Sequence, residues 1–163
     1  MLIALISDVH DCTENLSAAL TLAEEIGCRH LLFTGDMADM STFRLMRRNW
    51  LHEMDLVLGN NDYPRSDFLY GAREWALTRH HGEQADITLD HRRIYMTHFP
   101  HSAMRAAESG LYDAVFYGHT HRAEQHMAGS TLVANPGELQ GRYGSPSMAI
   151  YDTGENSLIH IRL

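Results

Sequence analysis

The chain has 163 residues, 44% hydrophobic and 21% charged, with 13 cationic side chains against 21 acidic ones and a net charge of −8. That length suits one domain over residues 1–163, able to bury roughly two-thirds of its unfolded surface. The acidic balance argues against a dedicated duplex-DNA or membrane-surface binder, which needs a basic face, and no stretch approaches the ~18 apolar residues of a membrane span.

The opening Met1-Leu2-Ile3-Ala4-Leu5-Ile6 lacks a basic leader and runs straight into Ser7-Asp8. It is read as a first strand of a cytoplasmic protein, not as an export signal. Asp8-Val9-His10 follows, then Asp11 and Glu14 in capping-box spacing. Leu16, Ala19, Leu20, Ala23 and Ile26 keep helical spacing up to Gly27, the expected stop. The pattern recurs: His30 to Thr34 is a short strand closed by Gly35-Asp36, and Ser41 to Asn49 a helix with Arg47-Arg48 facing solvent at its end. Met54 to Leu58 is a third strand, closed by Gly59-Asn60-Asn61-Asp62. This alternation implies mostly parallel pairing, with a site at the strand ends.

Pro64 to Ala76, with Phe68, Leu69, Trp75 and Ala76, is read as an amphipathic helix interrupted by Gly71. Ala85 to Leu89 and Arg92 to Met96 flank Asp90-His91 as a hairpin in an antiparallel part of the sheet system, delivering Thr97-His98. Pro100 to Ser109 is a short helix before the strand Asp113 to Tyr117. Three short strands follow, Glu124 to Met127, Thr131 to Ala134 and Ser147 to Tyr151. The last leads through a turn at residues 153–156 to Ser157–Leu163. Cys12 and Cys28 have no metal or redox spacing and are read as reduced packing residues.

Twelve histidines are many for this length. His30, His52, His80, His81, His91, His126 and His160 are read as surface or satisfied side chains. Gly118-His119-Thr120-His121 differs, because it closes a buried strand, and in extended chain two imidazoles at i and i+2 leave the sheet edge on the same side. Asp8, His10, Asp36, Asn60, His98, His119 and His121 each follow an apolar strand in this way. They supply imidazole nitrogen and carboxylate or amide oxygen without thiolate, which suits manganese, iron, cobalt, nickel or zinc. Seven such donors are too many for one tetrahedral ion and fit two ions sharing a carboxylate, with Asp36, alone in its loop, as the bridge.

Two divalent ions outweigh Asp8, Asp36 and a bridging hydroxide by one positive charge, which attracts a phosphate anion. Ions roughly 3.5–4 Å apart hold a hydroxide in line with a leaving oxygen across phosphorus. The expected chemistry is phosphoester hydrolysis.

In order, Asp8-x-His10, Gly35-Asp36, Gly59-Asn60-x-Asp62, Thr97-His98 and Gly118-His119-x-His121 resemble the motifs of calcineurin-like metallophosphoesterases. More narrowly, the chain is similar to the small YfcE-type phosphodiesterases, which share its Asn-Pro-Gly stretch and Pro146-Ser147. The resemblance implies a four-layer α/β/β/α sandwich of two mixed sheets flanked by helices. It implies a dinuclear phosphodiesterase acting on a small phosphodiester, with manganese as the expected metal. It assigns Asp8, His10, Asp36 and His121 to one ion and Asp36, Asn60, His98 and His119 to the other. The alternatives are a phosphomonoesterase, a dinucleoside-polyphosphate hydrolase, or a non-catalytic scaffold like the retromer subunit of similar fold. A homo-oligomer is compatible with all of these.

Where many larger members have His after the metal-binding Asn, this chain has Asn61, which donates a hydrogen bond but is no general acid. His101 is the candidate acid in its place. Asp62 is a candidate for orienting Asn61 or a ligand histidine. Arg122 and Arg142 could contact a phosphate but are read as solvated loop side chains.

Overall fold

A computed structural model describes residues 1–71 and 76–163. Its first sheet has the order β11-β10-β1-β2-β3-β4 and its second β5-β6-β7-β9-β8. The first holds β1 (Leu2–Ile6), β2 (His30–Phe33), β3 (Glu53–Leu56), β4 (Thr78–His80), β10 (Ser147–Asp152) and β11 (Ser157–Arg162). The second holds β5 (Gln84–Leu89), β6 (Arg92–Thr97), β7 (Ala114–Phe116), β8 (Ala123–Ala128) and β9 (Thr131–Pro136). The helices are α1 (Thr13–Ile26), α2 (Met40–Asn49), α3 (Arg65–Gly71) and α4 (Pro100–Glu108). With α1 and α2 outside the first sheet and α4 outside the second, the layers run α/β/β/α.

Side-chain alternation along each strand builds three apolar layers. Ala4, Ile6, Leu31, Phe33, Met148 and Ile150 face the helices of the first sheet. Their neighbours Ile3, Leu5, Leu32, Ala149 and Tyr151 meet Phe116, Leu132 and Ala134 of the second sheet. Val115 and Val133 turn outward onto Ala103 and Ala107 of α4. Strands covered on both faces have no polar side, which explains their unbroken apolar runs.

The parallel ladders align the strand ends. Ile6 pairs with Phe33 and Phe33 with Leu56. In the second sheet Met96 pairs with Phe116 and Phe116 with Ala134. The loops leaving β1, β2, β3, β6, β7 and β9 therefore open on one edge of the molecule.

Several local expectations are corrected. The capping box is not formed: Cys12 is the N-cap of α1 and makes no side-chain cap, while Asp11 accepts from Asp39 N–H and Thr42 Oγ1. Arg47 is buried, not solvent-facing, and donates to the carbonyls of His52 and Ala76; only Arg48 is exposed. His80 is half-buried, and its Nε2 has no hydrogen-bond partner among the described residues. The strand β4 was not expected, because Thr78-Arg79-His80 has no apolar pattern; it extends the parallel ladder beside β3. Of the expected Pro64–Ala76 helix, α3 covers Arg65–Gly71; residues 72–75, with Trp75, lie outside the described residues, and Ala76 is in a turn.

Candidate metal centre

All seven expected donors gather at this edge. Asp8, His10 and His121 form one group, and Asp36, His98 and His119 another, the ligand atoms of each lying within 4.8 Å of one another. Asn60 joins the second group, its Oδ1 3.2 Å from His98 Nε2.

The loops reach the site through unusual backbone. Asp8, His10, Asp36, His119 and His121 all have positive φ, between 42° and 69°. The extended-chain premise for His119 and His121 therefore fails. The left-handed turns send the two rings to different groups, His119 Nδ1 to 3.3 Å from His98 Nε2 and His121 Nε2 to 3.3 Å from Asp8 Oδ1. Such residues cost energy individually and persist where the surroundings over-determine them, commonly at functional sites.

Those surroundings are visible. Asp62 is fully buried, and its two oxygens accept the backbone N–H groups of Asp36, Met37, Ala38 and Gly59 at 2.7–3.0 Å. It clamps the two loops together, and among the described residues it bonds neither Asn61 nor a histidine. Gly59 is required by crowding, since a Cβ there would lie 2.0 Å from Asp36 Oδ1. At Gly118 a Cβ would lie 2.1 Å from Ser7 Oγ.

Hydrogen bonds set the histidine tautomers. His98 Nδ1 donates to the buried Thr34 carbonyl at 2.8 Å, leaving its Nε2 lone pair toward Asp36 Oδ2 at 3.3 Å. His121 Nδ1 donates to Glu138 Oε2 at 2.8 Å, leaving its Nε2 toward Asp8. This carboxylate–imidazole pairing fixes ring orientation at metal sites. Glu138 is 1% exposed and was missed in the sequence. The signal was present, because Gly137-Glu138 follows β9 as Gly35-Asp36 follows β2.

Asp36 Oδ2 stands between the groups, 3.3 Å from His98 Nε2 and 3.5 Å from His10 Nε2. Burial pushes the Asp36 carboxyl up, but the neighbouring His98 imidazole and the hydrogen bonds from Asn61 outweigh it and hold it far below the usual carboxylate range. The His10 imidazole is raised, chiefly by Asp8 and then, against burial, by Asp36. Burial lowers His98, yet Asp36 and Asp8 raise it overall. The pocket thus favours positive charge.

The residues fit a cation by a direct test. Asp8 Oδ1 and His10 Nε2 are buried, and neither has a hydrogen-bond partner among the described residues. Buried polar atoms are ordinarily paired. Both point into the first group, where a cation would satisfy them, and the N/O donor set suits a divalent transition ion.

The two other candidates fare differently. Asn61 gives its backbone N–H to Asp36 Oδ1 at 2.8 Å and its side-chain amide to Asp36 Oδ2 at 2.7 Å. His101 is exposed on the first turn of α4 and makes no hydrogen bond among the described residues.

Known proteins share this plan. A model of the calcineurin-like phosphoesterase superfamily domain matches residues 1–156. Phosphodiesterase MJ0936 of Methanocaldococcus jannaschii is 29% identical over 160 residues, covering 94% of this chain and 93% of that protein. A solved archaeal phosphodiesterase superposes with a TM-score of 0.89 at 28% identity over the whole of both chains. The E. coli phosphoesterase YfcE shares the fold with a TM-score of 0.68 at 20% identity, covering 99% of each chain.

Proposed function

The chain belongs to the calcineurin-like phosphoesterase superfamily, and we propose that it is a metal-dependent phosphodiesterase cleaving a small phosphodiester. The convergence of seven donors on an edge where Asp8 Oδ1 and His10 Nε2 are buried without partners among the described residues carries this reading. The phosphodiesterase activity named for the M. jannaschii relative supports it. Residues 1–163 are read as one metallophosphoesterase domain, since both sheets contribute to a shared apolar layer, and the cytoplasm as its location.

Asp8, His10, Asp36 and His121 would hold one ion, and Asp36, Asn60, His98 and His119 the other, with manganese as the proposed metal. Two such ions would supply Lewis-acid charge for the phosphoryl oxygens and would lower the pKa of bound water. Glu138 and the Thr34 carbonyl hold His121 and His98 in the tautomer that presents Nε2. Asp62 keeps the Asp36 and Gly59 loops in register. In the overall reaction a water oxygen bonds to phosphorus, one P–O ester bond breaks, and the released alcohol takes a proton. Asn61 cannot serve as a general acid; unless His101, exposed on the first turn of α4, protonates the leaving oxygen, diesters with good leaving groups should react faster.

The test is chelator-treated protein reloaded with manganese and given bis-p-nitrophenyl phosphate and p-nitrophenyl phosphate. Chelator-sensitive turnover with preference for the diester is expected. Preference for the monoester would replace this reading with a phosphomonoesterase.

A further inference from the structure

Beside His121 the surface opens into a groove of about 710 Å³ walled by Arg122, Tyr143, Ser145, His160 and Arg162. A hollow of about 460 Å³ over His119, Thr120 and His121 shares Arg122 and Tyr143 with it. The topology explains the groove. In the β10–β11 ladder Tyr151 pairs with Leu158, Ala149 with His160 and Ser147 with Arg162, so these residues share one face. Tyr151, Ala149 and Leu158 on that face belong to the layer between the sheets. His160 and Arg162 continue the same face beyond that core, and His160 Nε2 donates to the Asn135 carbonyl at the end of β9 at 2.8 Å. The groove is the open mouth of the inter-sheet gap, at the end where the histidines lie.

Positive side chains and an aromatic ring gather at this groove. In a chain of net charge −8, Arg65, Arg79, Arg92 and Arg93 each face a carboxylate within 4 Å. Arg122, Arg142 and Arg162 face none among the described residues, which is equally true of Arg29, Arg44, Arg47, Arg48 and Arg105, but Arg122 and Arg162 wall the groove and Arg142 lies over Tyr143. The Glu138 carboxylate nearby is buried and already accepts from His121, Tyr143 N–H at 2.6 Å and Gly144 N–H at 2.8 Å. Tyr143 is 69% exposed, its ring edge-on to His121 at 5.1 Å with the Arg142 guanidinium 5.3 Å from its centre. A flat aromatic face and unpaired guanidinium groups are what stacking on a base and binding a phosphate require. The volume falls in the range of small-ligand sites.

We infer that this groove holds the part of the substrate beyond the scissile phosphate and takes a nucleotide-like group, with an aromatic ring against Tyr143 and a second phosphate against Arg122 and Arg162. The inference rests on the phosphodiesterase reading of the adjoining donors and narrows its substrate to a diester such as a 5′-phosphorylated dinucleotide. Water cleaves one P–O ester bond of the bridging phosphate, and the terminal phosphate is bound but not broken.

Two measurements test it with the full chain. Calorimetry with thymidine 5′-monophosphate and chelator-treated protein should show binding that weakens about tenfold or more in the double variant Arg122→Gln/Arg162→Gln. Equal affinity in the variant, or no binding to wild type, overturns the groove. With manganese, the ratio of kcat/KM for thymidine dinucleotide with a 5′-phosphate over the same dinucleotide without it should be about tenfold in wild type and fall toward unity in the variant. A wild-type ratio near unity also overturns it. Failure of wild type to cleave either dinucleotide would instead defeat the phosphodiesterase reading, and the binding measurement then decides the groove alone.

Discussion

Glu138 Oε2 accepts a hydrogen bond from His121 Nδ1 at 2.8 Å, and its other oxygen accepts two backbone N–H groups of the following loop. Burial raises this carboxyl, but the His121 bond and the backbone donors win and hold it below its ordinary range. One side chain thus orients a donor of the site and pins the loop that carries Tyr143. Glu138→Gln keeps an acceptor for His121 but removes the charge, so manganese affinity should fall about 10- to 100-fold. Calorimetric manganese titration, with kcat measured at saturating metal, checks this.

His119→Ala and Asp36→Asn should abolish turnover while circular dichroism stays native. Asp36→Asn should also lower metal occupancy at both positions, because Oδ2 faces both groups of donors. Elemental analysis of the purified variants reads this directly. Cys12→Ser should leave turnover at the wild-type level.

Removing Asp62 strikes the backbone, not the donors. Asp62→Ala strips an acceptor from the N–H groups of Asp36, Met37, Ala38 and Gly59. Leaving such groups without partners should cost about 3 kcal/mol or more. Urea unfolding measures the loss. Turnover should disappear in this variant even under conditions where it remains folded.

Asp55, fully buried on β3, accepts from His30, His81 and Arg79 at 2.6–2.8 Å. Burial raises its carboxyl, but the bonds from Arg79, His30 and His81 hold it far below its ordinary 3.8. A folded-state value below the unfolded one means the stabilisation is complete above that ordinary value and fades as pH falls beneath it. Arg79 is half-exposed, so Asp55→Asn should cost about 2–3 kcal/mol at neutral pH, less than for a fully buried pair. The gap between variant and wild type in urea melts should narrow below pH 3.8.

The donor set was legible because every member follows an apolar strand, and parallel strands bring such positions to one edge. Measured from the paired residues, Asp8 lies two past Ile6, Asp36 three past Phe33 and Asn60 four past Leu56. In the second sheet His98 lies two past Met96, His119 three past Phe116 and Glu138 four past Ala134. The same stagger in both sheets explains why Glu138 belongs with the others, but it needs the strand registers, which spacing alone does not supply. The separation of His119 from His121 was hidden for another reason. It depends on left-handed backbone at both residues, which residue type does not announce. Arg47 looked like a surface cation because its partners, the carbonyls of His52 and Ala76, are backbone groups.

Asp8, His10, Asp36 and Asn60 ride on the first sheet, and His98, His119 and His121 on the second. Among the described residues no strand ladder joins the sheets. They are held by packing such as Phe116 against Tyr151, centroids 5.1 Å apart, by bonds at the far edge from Arg92 to the Thr153 and Gly154 carbonyls, and by bonds at the site itself, from His98 to Thr34, His119 N–H to Asp8 and Leu139 N–H to Asp8. Each group of donors draws on both layers, so a small slip between them would pull the donors apart before either layer melted. On gentle warming, catalysis should fade ahead of secondary structure, and turnover becomes a gauge of how well the two halves of the molecule stay aligned.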